Sequence, residues 1–388
     1  MLQQVVSHVG DCVRRKDLSS VHVEDVLLSS AMAAVMEVSK SLLPEVQSKF
    51  RADLEEFGRQ LGELHYVSDL KKQSSAEQHL LLVLQGLGRI KSYFSDATIQ
   101  AANVMAEQYV CPLHPETTGR RTELCPKCGR ELEQQVRLIA GRTNGPYCSI
   151  QTVQAAIRTD GPLVVGRETK AFLTLTHLDG KPVFLTDLIE MHTRKVHLLL
   201  IDSGLADYHH EHPLPTLNPG EFEFAFTPRK PGSYSAWGDI RPAPMGLQEH
   251  AATVIQATTT GEPISDRETK NTDVVDGLTY QLWFDQTQIR AGKPINGRLR
   301  IAREDGTGFN RLEPTMAAFA HLVGFHEDRR NALHFHPKGR PVLNEKDRGG
   351  PELEFVFYAP QPGFIRLFAQ VQIEGVSRFA SFGVEVSR

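Results

Sequence analysis

No run of about 18 apolar residues occurs anywhere in the chain, so no segment reads as a membrane-spanning helix. Charge of one sign is also missing. Lys and Arg total 43 against 47 Asp and Glu, a net charge of −4, and no basic stripe stands out. That leaves no electrostatic case for a nucleic-acid partner. Familiar catalytic signatures are lacking: there is no G-x-S-x-G, H-E-x-x-H, P-loop or G-x-G-x-x-G. The start, Met1-Leu2-Gln3-Gln4, has neither the basic nor the apolar region of a signal peptide, which taken alone implies a cytoplasmic chain. Cysteine is sparse, five in 388 residues, and three of the five stand in one short stretch. Cys12 and Cys148 remain; they read as partly buried thiols, with their pairing left open. The length predicts two to four domains with ordinary soluble composition.

What is present is Cys111-Pro112-Leu113-His114-Pro115 followed by Cys125-Pro126-Lys127-Cys128-Gly129. A C-x2-H pair ahead of a C-x2-C pair brings three thiolates and one imidazole to a tetrahedral Zn²⁺ spacing. Pro fixes φ and Gly accepts φ > 0, which keeps both knuckles tight. So short a stretch cannot bury a core, so a metal would supply its folding energy. The competing readings are a chance pair of Cys-Pro turns or a disulfide.

Tyr109 to Glu116 and Leu124 to Leu132 together resemble the small heavy-metal-binding domain of copper/silver efflux adaptors and some copper-pumping ATPases. That family usually carries C-P-M-H-P and C-G-M; Leu113 and Arg130 replace both methionines here. Thioethers favour Cu(I), so their loss shifts the expectation toward a structural or regulatory zinc. The resemblance implies Cys111, His114, Cys125 and Cys128 as ligands, Zn²⁺ or Cu⁺/Cu²⁺ as the ion, and a periplasmic or otherwise exported protein whose leader was removed or whose start was misassigned.

Residues 1–108 read as a helical bundle. Apolar positions recur at three-to-four spacing from Leu18 to Leu43, from Val46 to Tyr66 and from Leu80 to Phe94. Ile99 to Met105 adds a fourth segment and residues 2–14 a short one. Pro44 ends the first run, and Ser74-Ser75-Ala76-Glu77 suggests an N-terminal cap. His22, His65 and His79 read as surface or packed histidines, and Met32 and Met36 as core. Residues 109–135 are the zinc-ribbon-like knuckle.

After a Gly-bearing linker the texture changes to period two, and residues 150–258 and 272–388 read as two copies of one β unit. Leu163-Val-Val-Gly166 pairs with Ile289-Arg-Ala-Gly292, and Asp179-Gly180 with Asp305-Gly306. His197 pairs with His321, and His210-Glu-His212-Pro213 with His334-Phe-His336-Pro337. Glu221 to Pro228 matches Glu352 to Pro360. Six to seven short strands per copy predict two immunoglobulin-like β-sandwiches, joined by a polar linker over 259–271. The fold class is therefore multidomain α + β.

Residues two apart on a strand share a face, so His210 and His212 point one way, as do His334 and His336. A histidine on the neighbouring strand of a hairpin completes three imidazoles: His197/His210/His212 in the first copy and His321/His334/His336 in the second. Neutral imidazole suits Cu(II), Zn(II) and Ni(II). Met191, Asp207, His209 and Asp239 are further candidates in the first copy. A bland reading stands beside this one, in which a His before Pro caps a turn at the sandwich rim. These features predict a non-enzymatic heavy-metal-binding protein that sequesters or delivers copper, silver or zinc. The alternative is an interaction protein with a zinc staple, docking an efflux or envelope partner through its sandwiches. A metal-dependent hydrolase with Glu211 as base is the least supported reading.

Overall fold

A computed structural model describes the chain apart from residues 1, 19–20, 22–27, 29–30, 33–34, 36–38, 40–41, 101–108, 112–113, 115, 120–122, 130–131, 135–151, 191–192, 244–247, 257–265, 293–294, 317, 331, 336–341, 343 and 360. Two compact units divide it: Met1–Ile150 forms the first, and Gln151–Ala243 with Gln248–Arg388 the second. The fold is mixed α and β, with most strands in sandwich-like sheets. Among the described residues no helix is long and apolar enough to cross a membrane.

In the first unit, α1 (Leu2–Arg14), α2 (Pro44–Asp69) and α3 (Gln73–Lys91) bury apolar stripes in one core. Val6, Phe57 and Val83 are fully enclosed there, together with Ala31 and Met32. Pro44 occupies the first turn of α2, where the missing N–H is not needed, so the residue that stops one run also starts the next. The cap expected at Ser74-Ser75 is absent. Lys72 is the N-cap residue and makes no side-chain cap bond, while Gln73 reaches across to the Val13 carbonyl at 2.8 Å. His65 is buried, and His79 Nδ1 lies 3.0 Å from Gln60 Oε1, so both are packed residues. Cys12 lies on the buried side of α1; Cys148, Met191, His192, His22 and Met36 lie outside the described residues.

The second unit holds two sandwiches that share the order of their central strands and differ at the edges. In the first, β4 (Val153–Thr159), β5 (Thr169–His177), β9 (Glu221–Phe226) and β8 (Leu214–Pro215) form one sheet. The other runs β11 (Glu249–Ile255), β10 (Tyr234–Ile240), β6 (Val196–Asp202), β7 (Tyr208–Glu211). This is the A-B-E-D and G-F-C-C′ order of immunoglobulin-like sandwiches. Phe222, Phe224 and Phe226 alternate inward and pack against Leu198, Leu200 and Tyr234 of the opposite sheet. Tyr234 carries its hydroxyl back to the Lys230 carbonyl at 3.1 Å and donates to Asp207 at 2.6 Å, forming a tyrosine corner.

In the second sandwich, β12 (Thr272–Val275), β13 (Leu278–Phe284), β15 (Ile295–Ala302) and β18 (Glu352–Phe357) make one sheet. Facing it are β14 (Ile289–Arg290), β20 (Val376–Ser387), β19 (Gly363–Ile373), β16 (His321–His326) and β17 (Ala332–Phe335). Phe335 stacks on Phe357 at 4.8 Å between the two sheets. Gly166 and its repeat counterpart Gly292 both have positive φ, 78° and 76°, so the equivalent turns share a backbone that disfavours side chains.

The β6 and β10 strands are buried on both faces. Even positions of β6 enter the sandwich core, whereas Leu199 and Ile201, with Tyr208 and Trp237, join Val323, Phe325, Phe364 and Phe368 of the second copy in a separate core. Thus the C-C′-F face of one sandwich packs on the C-C′-F face of the other. The Tyr208 ring sits 5.3 Å from Phe325 and 5.1 Å from Phe368. Truncating Phe368 to Ala leaves a cavity in this shared face and is expected to cost about 3–5 kcal/mol, read as a lower urea midpoint.

Candidate metal centres

In the first unit, β1 (Tyr109–Val110) pairs with β2 (Thr118–Gly119) and β3 (Glu133–Gln134), and this small sheet supports two turns. Cys111 N–H donates to Thr117 at 3.0 Å and Thr117 N–H to His114 at 2.8 Å, closing the first turn. Gly129 N–H donates to Cys125 at 2.7 Å with Gly129 at φ 68°, closing the second. The turns aim four side chains at one point. Cys111 Sγ lies 3.6 Å from His114 Nδ1 and 3.6 Å from Cys128 Sγ, and Cys125 Sγ lies 3.6 Å from His114 Nδ1. A tetrahedral zinc with ~2.3 Å bonds to sulfur and ~2.0–2.1 Å to nitrogen has S···S edges of about 3.8 Å and S···N edges of about 3.6 Å. The three edges given match that geometry, and all four donor atoms lie within 4.8 Å of one another. Cys111 and Cys125 pack with Leu132 and Tyr109 in the module's own small core.

Burial raises the Cys125 thiol pKa, but hydrogen bonds from the Lys127 and Cys128 N–H groups and the neighbouring thiols outweigh it and bring the value down to about 6. A thiolate at neutral pH is the form that binds metal.

The second cluster lies on the shared face of the sandwiches. His197 on β6 alternates with Leu199 and Ile201, so it points out of its own core. The β6–β7 register sets Leu199 opposite His210. Carrying that register two residues on puts His212 opposite His197. His210 Nε2 and His212 Nε2 both lie 3.2 Å from His197 Nδ1. All three atoms fall within 4.8 Å of one another. Three nitrogens at ~2.0–2.1 Å from a tetrahedral ion stand about 3.4 Å apart, so this set also fits a cation, with one position open. His197 is fully buried and His210 nearly so. Burial, helped by His197 and Arg194, pushes the His212 pKa down to about 3, which keeps it a neutral ligand.

The remaining candidates go elsewhere. His209 points to the opposite pleat, with Nε2 at 3.1 Å from Asp207 and its ring on Phe226. Asp207 also accepts from Tyr234 and from Arg229 N–H, so it belongs to the tyrosine corner. Glu211, between the two histidines, lines a groove with Leu214, Leu217 and Phe224, and burial raises its carboxyl to about 7. Asp239 is buried beside His197 in register and accepts from Gln248 at 2.7 Å. In the second copy His321 is buried like His197, but its Nε2 lies 3.0 Å from the Thr315 carbonyl. The His334 side chain and His336 lie outside the described residues, and no three-ligand group appears around His321 among the described ones. One residue had no sequence signal. Gln370, on β19 of the second copy, has Oε1 at 2.8 Å from His210 Nδ1.

A family model described as a domain of unknown function, DUF8832, matches residues 150–259 and 273–388. The chain belongs to the DUF8832 family. The DUF8832 part holds both sandwiches, and with them the imidazole cluster and Gln370; the Cys/His knuckle lies outside it. No curated protein matches the chain. Among solved structures, the Escherichia coli adhesin FdeC is similar at 10 % identity, covering 61 % of this chain and 65 % of that one, with a TM-score of 0.20. A Salmonella alpha-2-macroglobulin is similar at 12 % identity over 61 % of this chain and 15 % of that one, TM-score 0.20. A Bacteroides vulgatus beta-glycosidase follows at 11 %, 66 % and 27 %, TM-score 0.16. The match spans less than two thirds of each of these proteins. Similarity this low assigns neither fold nor activity.

The depressed Cys125 pKa has a direct optical consequence. In metal-free protein whose knuckle keeps its two turns, the thiolate ultraviolet absorbance is expected to rise as pH passes about 6, well below the ordinary thiol value of 9.0, and Cys125→Ser should remove that step.

Proposed function

We propose that this DUF8832 protein binds heavy-metal ions of the copper, silver and zinc class and takes part in their sequestration, delivery or resistance. The observation that carries the reading is the convergence of Cys111, His114, Cys125 and Cys128 at tetrahedral spacing. Helices with a common core make a helical bundle, and the knuckle is a zinc-ribbon-like module whose folding energy comes from its ion. Four ligands close that site, which marks it as structural. The three imidazoles leave a coordination position free, so they are the site through which an ion is exchanged. Neutral nitrogen donors suit Zn(II) or Cu(II), whereas Cu(I) would sit on the thiolates. The resemblance of the knuckle to efflux-adaptor modules favours work in the periplasm beside an efflux or envelope partner.

A second reading follows from the burial of Cys111 and Cys125 in their own small core. There the zinc is only a staple, the protein is an interaction module, and the imidazoles are packed side chains.

Elemental analysis of protein purified without affinity metal separates the two. Metal handling gives about two divalent ions per chain. His210→Ala with His212→Ala then lowers the content by one, and Cys125→Ser with Cys128→Ser removes the other. A wild-type protein holding a single thiolate-bound zinc and unable to take up more supports the staple. A protein with no bound or bindable metal overturns both readings.

A further inference from the structure

The imidazole cluster is not built by one repeat alone. Gln370 is buried on β19, on the same pleat as Phe364 and Phe368, and so faces the first sandwich. Its Nε2 donates to Ser377 Oγ at 3.3 Å, which holds the amide with Oε1 toward His210. That oxygen only accepts, so His210 carries its proton on Nδ1 and presents a bare Nε2 to His197 Nδ1 at 3.2 Å. A cation at their centre takes lone pairs from all three converging nitrogens at once. The second sandwich thereby fixes the tautomer and ring orientation of a donor in the first. Asp239 holds the repeat position equivalent to Gln370: it pairs in register with His197 as Gln370 pairs with His321.

We infer that Gln370 is a positioning residue for the His197/His210/His212 site, and that a divalent ion bound there clamps the two sandwiches face to face. This rests on the reading of those three histidines as metal ligands. Coupling of this kind is reciprocal. Whatever factor docking adds to metal affinity, the metal adds to docking. Hydrogen-bond partners behind a ligating histidine are worth about 10–100-fold in affinity.

The test uses the full chain with one equivalent of zinc already loaded, and titrates further Zn²⁺ by calorimetry. Gln370→Met keeps the length and removes the acceptor; Gln370→Glu keeps an acceptor. The expected result is a second zinc bound about 10–100-fold more weakly by the Met variant, with near wild-type affinity in the Glu variant and the first zinc retained in both. In wild type the second zinc should also slow hydrogen exchange along β19, in a sandwich that supplies no ligand. A Met variant of wild-type affinity overturns the clamp and leaves the metal reading standing. So does a Glu variant as weak as the Met one, because the acceptor is then irrelevant. A wild-type chain that takes up no second zinc overturns both.

Discussion

Two adjacent strands buried on both faces, β6 and β10, set the terms for the second unit. Once β6 and β10 are covered by their own sandwich on one side and by the second copy on the other, every polar side chain on those strands needs a partner. Apolar groups dominate the shared face, with Trp237, Tyr208, Phe325 and Phe368 in contact. At its polar margin stand His197, His210, His212, Asp239 and Gln370. Burial disfavours the protonated imidazole there, and the low His212 pKa expresses that cost. His212 is therefore neutral at pH 7, the form in which an imidazole coordinates metal. The requirement for burial thus produces the donor chemistry; no special activation is involved.

Much of this could be read from residues in order. Apolar spacing places α2 and α3, and the alternation Glu221-Phe222-Glu223-Phe224 gives β9 its inward face. Knuckle spacing pointed to four residues whose ligand atoms come together, and H-x-H-P with an earlier histidine pointed to three more. Such patterns are legible because each depends on local geometry. The second copy shows the limit. His321 obeys the same pattern as His197, yet its ring turns to the Thr315 carbonyl, a partner that no spacing rule names.

The contact between the sandwiches was not foreseen, although a trace of it was in plain view. Val196-His-Leu-Leu-Leu-Ile-Asp202 has no polar alternation, and an antiparallel strand with one wet face should have it. Continuous apolar character means two covered faces, so something had to lie against the outer one. Gln370 left no trace of any kind. It is distant in sequence from His210, belongs to the other repeat and carries no metal-ligand chemistry of its own. Its significance exists only after the two copies have packed.

Duplication explains how one chain can hold equivalent positions with different tasks. After two copies packed face to face, each repeat position met the opposite sandwich in a different setting, so Asp239 and Gln370 were free to diverge. An aspartate at position 370, one methylene shorter, would draw the acceptor back from His210 Nδ1 and add a second buried carboxylate beside any bound cation. A neutral amide oxygen orients the ring without adding charge. If the cluster binds metal as proposed, that difference would favour an ion that enters and leaves over one held permanently. On the proposed reading it sets the imidazole cluster apart from the knuckle, where three sulfurs and one nitrogen would close around an ion that the module's fold would depend on keeping.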